Sequence, residues 1–161
     1  RLVTATTTVG GQLEVHGGRT AASFFFPLGA SARVRRIEKR VEALFNWNIA
    51  DTEGIQIQRY GQGGQYLPHY DYFDGVAPPL RGEGPRRQRV ATLLMYLSMP
   101  AKGGDTHFLE RGLRFAPVPG DGVFFSYDHP SPETRTLHEG CVVEEGEKWV
   151  VNVWFRERLE A

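Results

Sequence analysis

Two different periodicities divide the chain. From Ser31 to about Trp47, apolar side chains recur every three or four positions and basic residues fall mostly between them. This spacing predicts an amphipathic helix packed on a sheet, with Ser31 as its N-cap. Its apolar positions are Val34, Ile37, Val41, Leu44 and Phe45. Elsewhere the apolar stretches are short and are broken by glycine and proline, which predicts strands joined by turns.

The predicted strands lie on both sides of this helix. Before it, the run Phe24 to Phe26 predicts a buried strand. After it, Gly54 to Tyr60 alternates with period two, and Arg89 to Leu97 is the most apolar run and predicts a central strand. One helix followed by many short strands predicts a mainly β (α+β) fold. We expect a jelly roll, or double-stranded β-helix, with a supporting N-terminal helix in a single domain over 1–161.

Residues 74–88 differ in composition from the strands around them. They contain prolines, glycines and several arginines but few apolar side chains. Such a segment predicts a mobile loop, and loops beside functional sites often act as lids. The alternative is a plain surface connection.

Charge and cysteine content narrow the possible partners and the compartment. Nineteen basic residues balance nineteen acidic ones, so we expect neither a nucleic acid nor a membrane as partner. A single cysteine, Cys141, cannot form an internal disulfide, which favours a reducing compartment and predicts a cytoplasmic protein. Since Cys141 stands in an apolar run, we expect it to be a small buried hydrophobe.

The pair His69 and Asp71 carries the candidate chemistry. On extended backbone, side chains at i and i+2 point to the same face, roughly 6–7 Å apart, so an imidazole and a carboxylate can meet at one ion. A third ligand is needed, and His138 is the candidate. Two histidines and one carboxylate form the facial triad that leaves positions open on Fe(II) for oxygenase chemistry. The alternatives are a zinc hydrolase with the same ligands, or a strand-end histidine beside a solvated aspartate.

Lys148 lies ten positions after His138, across a glutamate-rich turn. An Fe(II) oxygenase that uses a 2-oxo acid needs a positive partner for the remote carboxylate of that acid. A compact ammonium on a flexible stem suits a confined pocket. A surface lysine in a charged turn is the alternative.

Seven separated motifs together give a resemblance to a known family. The segment from about 19 to 157 resembles the catalytic domain of the prolyl 4-hydroxylases, which are 2-oxoglutarate- and Fe(II)-dependent dioxygenases. The matching pieces, in order, are Arg19-Thr20, Gln56 to Tyr60, Tyr66 to Phe73, Gln88 to Leu97, Gly103 to Thr106, His138 to Cys141 and Gly146 to Trp154. Two departures are Asp105 where the family usually has glutamate, and Ala21-Ala22 where some members have serines.

The resemblance implies a role for each matching residue. The iron ligands and catalytic residues would be His69, Asp71 and His138. The 2-oxoglutarate pocket would be formed by Lys148, Tyr60, Thr106 and Tyr96. Substrate-facing positions would be Arg19, Glu53, Tyr66, Arg89 and Trp154.

By the same resemblance, the expected activity is hydroxylation of a peptidyl residue, with proline as the expected target. Fe(II) and O2 would be required, 2-oxoglutarate would be decarboxylated to succinate and CO2, and ascorbate is a candidate reductant. The expected partner is a proline-containing peptide or protein, and the oligomeric state is left open. Two alternatives remain: a hydroxylase of a free amino acid or small metabolite, and a non-catalytic, metal-containing jelly-roll module that binds peptides.

Overall fold

Short antiparallel strands make up most of the chain. The structure, a computed structural model, describes the backbone of 3–4, 7–9 and 12–14 and, beyond these, residues 20–82 and 84–158, without the side chain of residue 81. The strands are β1 (Val3–Thr4), β2 (Thr7–Val9), β3 (Gln12–Glu14), β4 (Ala22–Phe26), β5 (Ile55–Tyr60), β6 (Tyr66–His69), β7 (Arg89–Tyr96), β8 (Lys102–Gly103), β9 (Thr106–Phe108), β10 (Leu113–Phe115), β11 (Gly122–Ser126), β12 (His138–Gly140), β13 (Val143–Glu145) and β14 (Lys148–Arg156).

Two sheets form the body of the fold. The major sheet has six strands in the order β1-β4-β5-β14-β7-β11, and the minor sheet has four in the order β10-β9-β12-β6. Two-stranded ribbons, β13-β8 and β2-β3, are also formed. Most neighbours in each sheet are distant in sequence, which is the connectivity of a double-sheet jelly roll. The predicted mainly β fold with one supporting helix is confirmed, and Arg89 to Tyr96 is a central strand as expected.

The one α-helix among the described residues, α1 (Ala32–Phe45), begins and ends at recognisable caps. The hydroxyl of Ser31 accepts a hydrogen bond from the Val34 N–H, and Asn46 closes the helix in the left-handed conformation. The buried face of α1 is narrower than the apolar pattern predicts. Val34 and Val41 are buried, whereas Ile37 and Leu44 are 40% and 73% exposed.

Helix α1 is rotated about its axis so that a glutamate lies on its buried face. Glu38 lies between Val34 and Val41 on the buried face, and its carboxylate accepts two hydrogen bonds from the Gly29 N–H, at 3.0 and 3.2 Å. Ile37 and Leu44 are about 60–80° to one side of that face, given 3.6 residues per turn. The prediction that they pack on the sheet is therefore wrong.

The alternation of side chains along the major sheet separates two cores. Val151, Val153 and Phe155 of β14 pack with α1, while Val150 packs with Tyr60 and Tyr96 on the opposite face. Each fully buried valine of this kind stabilises the fold by about 1.5–3 kcal/mol. Because both faces of β14 are covered, most of its residues must be apolar. The few polar residues on the face that carries Val150 are therefore candidates for a functional role.

Three sequence expectations about burial need correction. Phe25 is 46% exposed, so the run Phe24 to Phe26 is a half-buried strand rather than a buried one. The predicted alternation of β5 is present, but Gln56 and Gln58 are buried as completely as their apolar neighbours. Cys141 is partly exposed and accepts a hydrogen bond from the Arg114 guanidinium at 3.4 Å, so it is not a buried hydrophobe.

The segment 74–88 folds back on itself. A β-bridge joins Pro79 to Arg86, and Ala77 and Leu80 are buried, while Val76 is 74% exposed. Arg87 anchors the end of the segment through an ion pair with Asp51 at 2.8 Å. Its predicted mobility and its predicted role as a lid stay predictions. Among the described residues, no helix combines the length and the apolar character needed to cross a bilayer.

Candidate metal centre

Strand pairing in the minor sheet brings the two predicted histidines together. His69, the last residue of β6, lies directly opposite His138, the first residue of β12. Asp71 follows in the bend beyond β6. Its Oδ1 is 3.6 Å from His69 Nε2, and its Oδ2 is 3.8 Å from His138 Nε2. One ligand atom from each residue therefore lies within 4.8 Å of the other two, which is a spacing that a single metal ion can bridge.

Both imidazole rings are oriented by main-chain carbonyls. His69 Nδ1 is 2.8 Å from the Leu67 carbonyl, and His138 Nδ1 is 2.9 Å from the Thr136 carbonyl. Each Nδ1 donates its proton there, so Nε2 is the ring nitrogen that faces Asp71 and can bind a metal. Burial and the neighbouring His69 lower the pKa of His138 to about 4, so its ring is neutral at physiological pH. A neutral imidazole is the form that binds a metal.

Asp71 is held as a buried carboxylate. Burial alone would raise its pKa, but the positive charge that His138 and His69 carry when protonated, together with the Arg89 guanidinium, lowers the pKa well below the usual range. Thr92 donates a hydrogen bond to Asp71 Oδ2 at 2.7 Å, and the Tyr127 hydroxyl lies 3.0 Å from Thr92 Oγ1. The site thus combines two imidazole nitrogens with one fixed carboxylate oxygen, which suits a divalent cation such as Fe(II).

A cavity between the two sheets opens beside this centre. Its volume is about 410 Å³, open solvent at the mouth included. Its wall contains His69, Asp71 and His138, and also Gln58, Tyr60, Tyr66, Leu94, Thr106, Lys148, Val150 and Asn152. The wall is mixed in character, with apolar side chains of β7 and β14 between the polar ones. Most of these residues come from the inner face of the major sheet.

Lys148 is the cationic group of the cavity. It is 3% exposed, and burial lowers the pKa of its ammonium to about 8. Its Nζ donates a hydrogen bond to the Gly104 carbonyl at 2.6 Å and lies 5.7 and 5.6 Å from the ring centroids of Tyr60 and Tyr96. An ammonium has three donors, so two remain for a ligand. No carboxylate of the described residues forms an ion pair with Lys148.

The Gly103-Gly104 pair allows the Gly104 carbonyl to accept the hydrogen bond from Lys148. Both residues have positive φ, +77° and +80°. A Cβ at Gly103 would lie 2.3 Å from the Val142 carbonyl oxygen, and one at Gly104 would lie 3.0 Å from Pro100. The glycines therefore allow the chain to turn tightly and direct the Gly104 carbonyl at Lys148.

Of the other residues predicted to bind the cosubstrate, Tyr60 and Thr106 line this cavity, whereas Tyr96 does not belong to its wall. Tyr96 donates a hydrogen bond to Thr106 Oγ1 at 2.8 Å. Tyr60 donates one to Gln58 Oε1 at 2.8 Å, and the Gln58 amide donates to Gln56. The two tyrosines that flank Lys148 are thus fixed by hydrogen bonds, Tyr60 to a neighbour on its own strand and Tyr96 to β9 of the minor sheet. Their role in binding a cosubstrate stays a prediction.

The residues predicted to face the substrate divide into two groups. Tyr66 lines the cavity and stacks on His69, with ring centroids 3.5 Å apart. Glu53 and Arg89 form a two-point ion pair at 2.6 and 2.7 Å, and the Arg89 guanidinium lies 4.1 Å from the ring centroid of Trp154. Of these four residues, only Tyr66 belongs to the cavity wall. Arg19 lies outside the described residues.

Arg89, which is paired with Glu53, also contacts the main chain at the candidate metal ligand Asp71. Arg89 Nη1 donates a hydrogen bond to the main-chain carbonyl of Asp71 at 3.0 Å. Arg156 adds a second contact to Glu53, at 2.7 Å. Arg89 therefore positions the segment that carries Asp71. The prediction that Glu53, Arg89 and Trp154 bind substrate is neither supported nor opposed by this placement.

Four polar residues of the site were missed in the sequence. They are Thr92, Tyr127, Gln58 and Asn152. Asn152 is 7% exposed, and its Oδ1 has no hydrogen-bond partner among the described residues, so it offers an acceptor to a ligand. The available signal was a polar residue inside an apolar strand: Thr92 interrupts β7 and Asn152 interrupts β14.

Comparison with known proteins identifies a matching family model and relatives that align with most of this chain. Residues 55–156 match the model of the 2OG-Fe(II) oxygenase superfamily. The chain is 36% identical over 150 residues to prolyl 4-hydroxylase subunit alpha-1 of Gallus gallus, covering 92% of this chain and 29% of the relative. It is 34% identical over 160 residues to the Homo sapiens protein of the same name, covering 98% and 30%. The chain therefore spans about three tenths of the length of these relatives.

A solved structure matches over a larger share of its own length. The viral collagen prolyl hydroxylase of Paramecium bursaria Chlorella virus-1, in complex with 2-oxoglutarate, overlaps 88% of this chain and 81% of that chain, with a TM-score of 0.71 and 30% identity. The likeness thus extends to sequence as well as to fold.

Proposed function

The chain belongs to the 2OG-Fe(II) oxygenase superfamily, and from this premise we propose that it hydroxylates proline residues in peptides or proteins. The resemblance predicted from the motifs is thereby confirmed, together with the Fe(II), 2-oxoglutarate and O2 that the superfamily uses. The observation that carries the proposal is that one cavity holds both a His-Asp-His group and a buried lysine, which has no carboxylate partner in the described part of the chain.

The residues present fit Fe(II). His69, Asp71 and His138 supply two imidazole nitrogens and one carboxylate oxygen, and they would hold the ion while leaving its remaining positions open. Bound iron supplies the activation of O2 that organic side chains cannot perform. The chain itself fixes the ligands: main-chain carbonyls orient both imidazoles, and Thr92 restrains the carboxylate.

The cavity also fits 2-oxoglutarate. A dianion that places one carboxylate at the metal needs a cation for the other, and Lys148 is a buried cation with donors to spare. Leu94 and Val150 on the cavity wall would keep water from the chain of methylenes. A module that only bound a metal and a peptide would have no use for this buried ammonium, which argues against the non-catalytic alternative.

An aromatic surface beside the metal centre supports proline as the target. Tyr70 and Tyr72 flank Asp71, are only partly buried, and stack with ring centroids 4.8 Å apart. Aromatic side chains are the usual partners of proline-rich segments, which bind them at low entropic cost because the peptide is already extended. The relatives named prolyl hydroxylase point to the same residue.

Mass spectrometry of candidate substrates tests the proposal. Proline-containing peptides and free proline are incubated separately with the chain, Fe(II), 2-oxoglutarate and ascorbate. We expect the peptides to gain one oxygen atom on proline, and free proline to remain unchanged. Hydroxylation of free proline alone would instead assign the chain to small-molecule hydroxylation, and an unmodified peptide that nevertheless binds would favour the peptide-binding module.

A further inference from the structure

A second cluster of metal-ligating side chains lies outside the cavity. It consists of His107 on β9, Glu139 on β12 and Cys141 just beyond β12. One ligand atom from each lies within 4.8 Å of the others. His107 Nδ1 is 2.9 Å from Glu139 Oε1, and Cys141 Sγ is 3.8 Å from the same oxygen.

Strand pairing places this cluster on the face of the minor sheet opposite the first site. His107 pairs with Glu139, while the next pair along, Phe108 and His138, stacks on the inner side. Since side chains alternate along a strand, the inward position of His138 directs Glu139 outward, and Cys141, two residues further, follows it. Glu139 borders the cavity with part of its residue, but its carboxylate is engaged by His107.

We propose that His107, Glu139 and Cys141 form a second metal site, which binds a thiophilic divalent cation of the zinc type. With zinc bond lengths of about 2.0–2.3 Å, a tetrahedral site needs about 3.4 Å between nitrogen and oxygen and about 3.6 Å between sulfur and oxygen. The observed separations of 2.9 and 3.8 Å are within about half an ångström of these values. Imidazole, carboxylate and thiolate are all ordinary zinc ligands, and a water molecule would occupy the fourth position.

The local charges balance in the bound state. A thiolate and a carboxylate together carry the two negative charges that neutralise a divalent ion. The Arg114 guanidinium, 3.4 Å from Cys141 Sγ and 4.0 Å from Asp105, can then pair with Asp105. The ligands are also reachable: the side chains of His107 and Glu139 are 19% and 26% exposed, and Cys141 is a free thiol.

Bound metal would connect two strands that serve the catalytic site. β12 begins with His138, and β9 begins with Thr106, which borders the cavity. A cross-link between Glu139 and His107 on the outer face would hold these strands in register. The inference concerns different residues from those of the proposed function, so either one can fail without the other.

Cobalt(II) is the probe that distinguishes the two sites, because only the second contains a thiolate. The full chain is titrated with Co(II) under anaerobic conditions. We expect a thiolate-to-cobalt charge-transfer absorption that saturates within two equivalents per chain, since the His-Asp-His group also takes a divalent ion, and that is removed by added Zn(II). C141S should abolish this absorption, and H107A and E139Q should each weaken the underlying affinity at least tenfold.

Two control variants complete the experiment. H69A, which removes a ligand of the first site, should leave the charge-transfer absorption intact. H129A, which alters a half-exposed histidine beside Asp128 and Glu133, should behave as the unaltered chain does. The proposal is overturned if the folded chain gives no charge-transfer absorption, or if H107A and E139Q both leave its titration unchanged.

Discussion

Replacing Lys148 by methionine tests the most specific electrostatic element of the site. Methionine keeps an unbranched side chain of similar length, so the core around Val150 and Tyr96 is not emptied, but it removes the positive charge. The distal carboxylate of 2-oxoglutarate would then enter a cavity in which the described residues provide no other ammonium within the wall. The KM for 2-oxoglutarate should therefore rise steeply.

The expected size of this rise follows from the burial of the lysine. Removing one partner of a buried ion pair costs about 3–5 kcal/mol. The cavity opens to solvent on one side, so the lower end of that range applies, and about 3 kcal/mol corresponds to at least about a hundredfold in KM. The affinity for Fe(II) should change little, because Lys148 Nζ is not part of the His-Asp-His group.

Succinate formation at varied 2-oxoglutarate concentration measures the effect, and Lys102 provides the matched control. Lys102 is an exposed lysine that pairs with Glu144 at 2.5 Å, so K102M should change KM by less than about twofold. K148R should recover part of the affinity, since a guanidinium keeps the charge but needs more room. A KM for K148M within threefold of the unaltered value, in a folded protein, would refute the assignment of Lys148 as the carboxylate anchor.

Four further predictions follow from the same geometry. Alanine at each of the three metal-ligand positions should abolish Fe(II) binding and turnover while the protein stays folded, whereas H129A should retain both; metal analysis and circular dichroism test this. T92V removes the hydrogen bond to Asp71 and should lower Fe(II) affinity by about 10–100-fold in an equilibrium titration. Burial lowers the pKa of Lys148 to about 8, and 2-oxoglutarate binds the protonated lysine, so the affinity of the chain for 2-oxoglutarate should be constant below that pH and should fall above it. We expect the KM for 2-oxoglutarate to be about tenfold higher at about pH 9 than at about pH 7, and a KM that does not change with pH would oppose this assignment. Residues 74–88 should be cleaved more slowly by protease when a substrate peptide is present, and equal cleavage would reduce the segment to a surface connection.

Local patterns were sufficient to predict most of the secondary-structure elements and the proximity of His69 to Asp71. Ser31 and the apolar spacing predicted α1, and the turn residues predicted most strands. His69 and Asp71 are two positions apart, so their proximity follows from backbone geometry alone. The approach of His138 is different, since it depends on the pairing of β6 with β12, and the sequence indicated it only through the spacing of the whole set of motifs.

Burial was harder to predict because it depends on which faces the fold covers. The pattern of α1 does not reveal that Glu38 occupies its buried face, since that depends on the Gly29 N–H at the end of a preceding turn. The glutamines of β5 look solvent-facing in an alternating strand, yet the minor sheet covers them and Gln58 bonds Tyr60. The ion pair between Glu53 and Arg89 joins residues 36 positions apart, and no local pattern encodes it.

The incorporation of isotopically heavy O2 into the two products is a direct test of the proposal that the chain is a peptidyl-proline dioxygenase. The chain is supplied with Fe(II), 2-oxoglutarate, a proline-containing peptide and heavy dioxygen, and both products are analysed by mass spectrometry. We expect each turnover to place one heavy oxygen atom on a peptidyl proline and the other in succinate, so the two labelled products form in equal amounts. H138A should form neither product. Succinate formed without any hydroxylated proline, or a hydroxyl oxygen derived from water, would contradict the proposal.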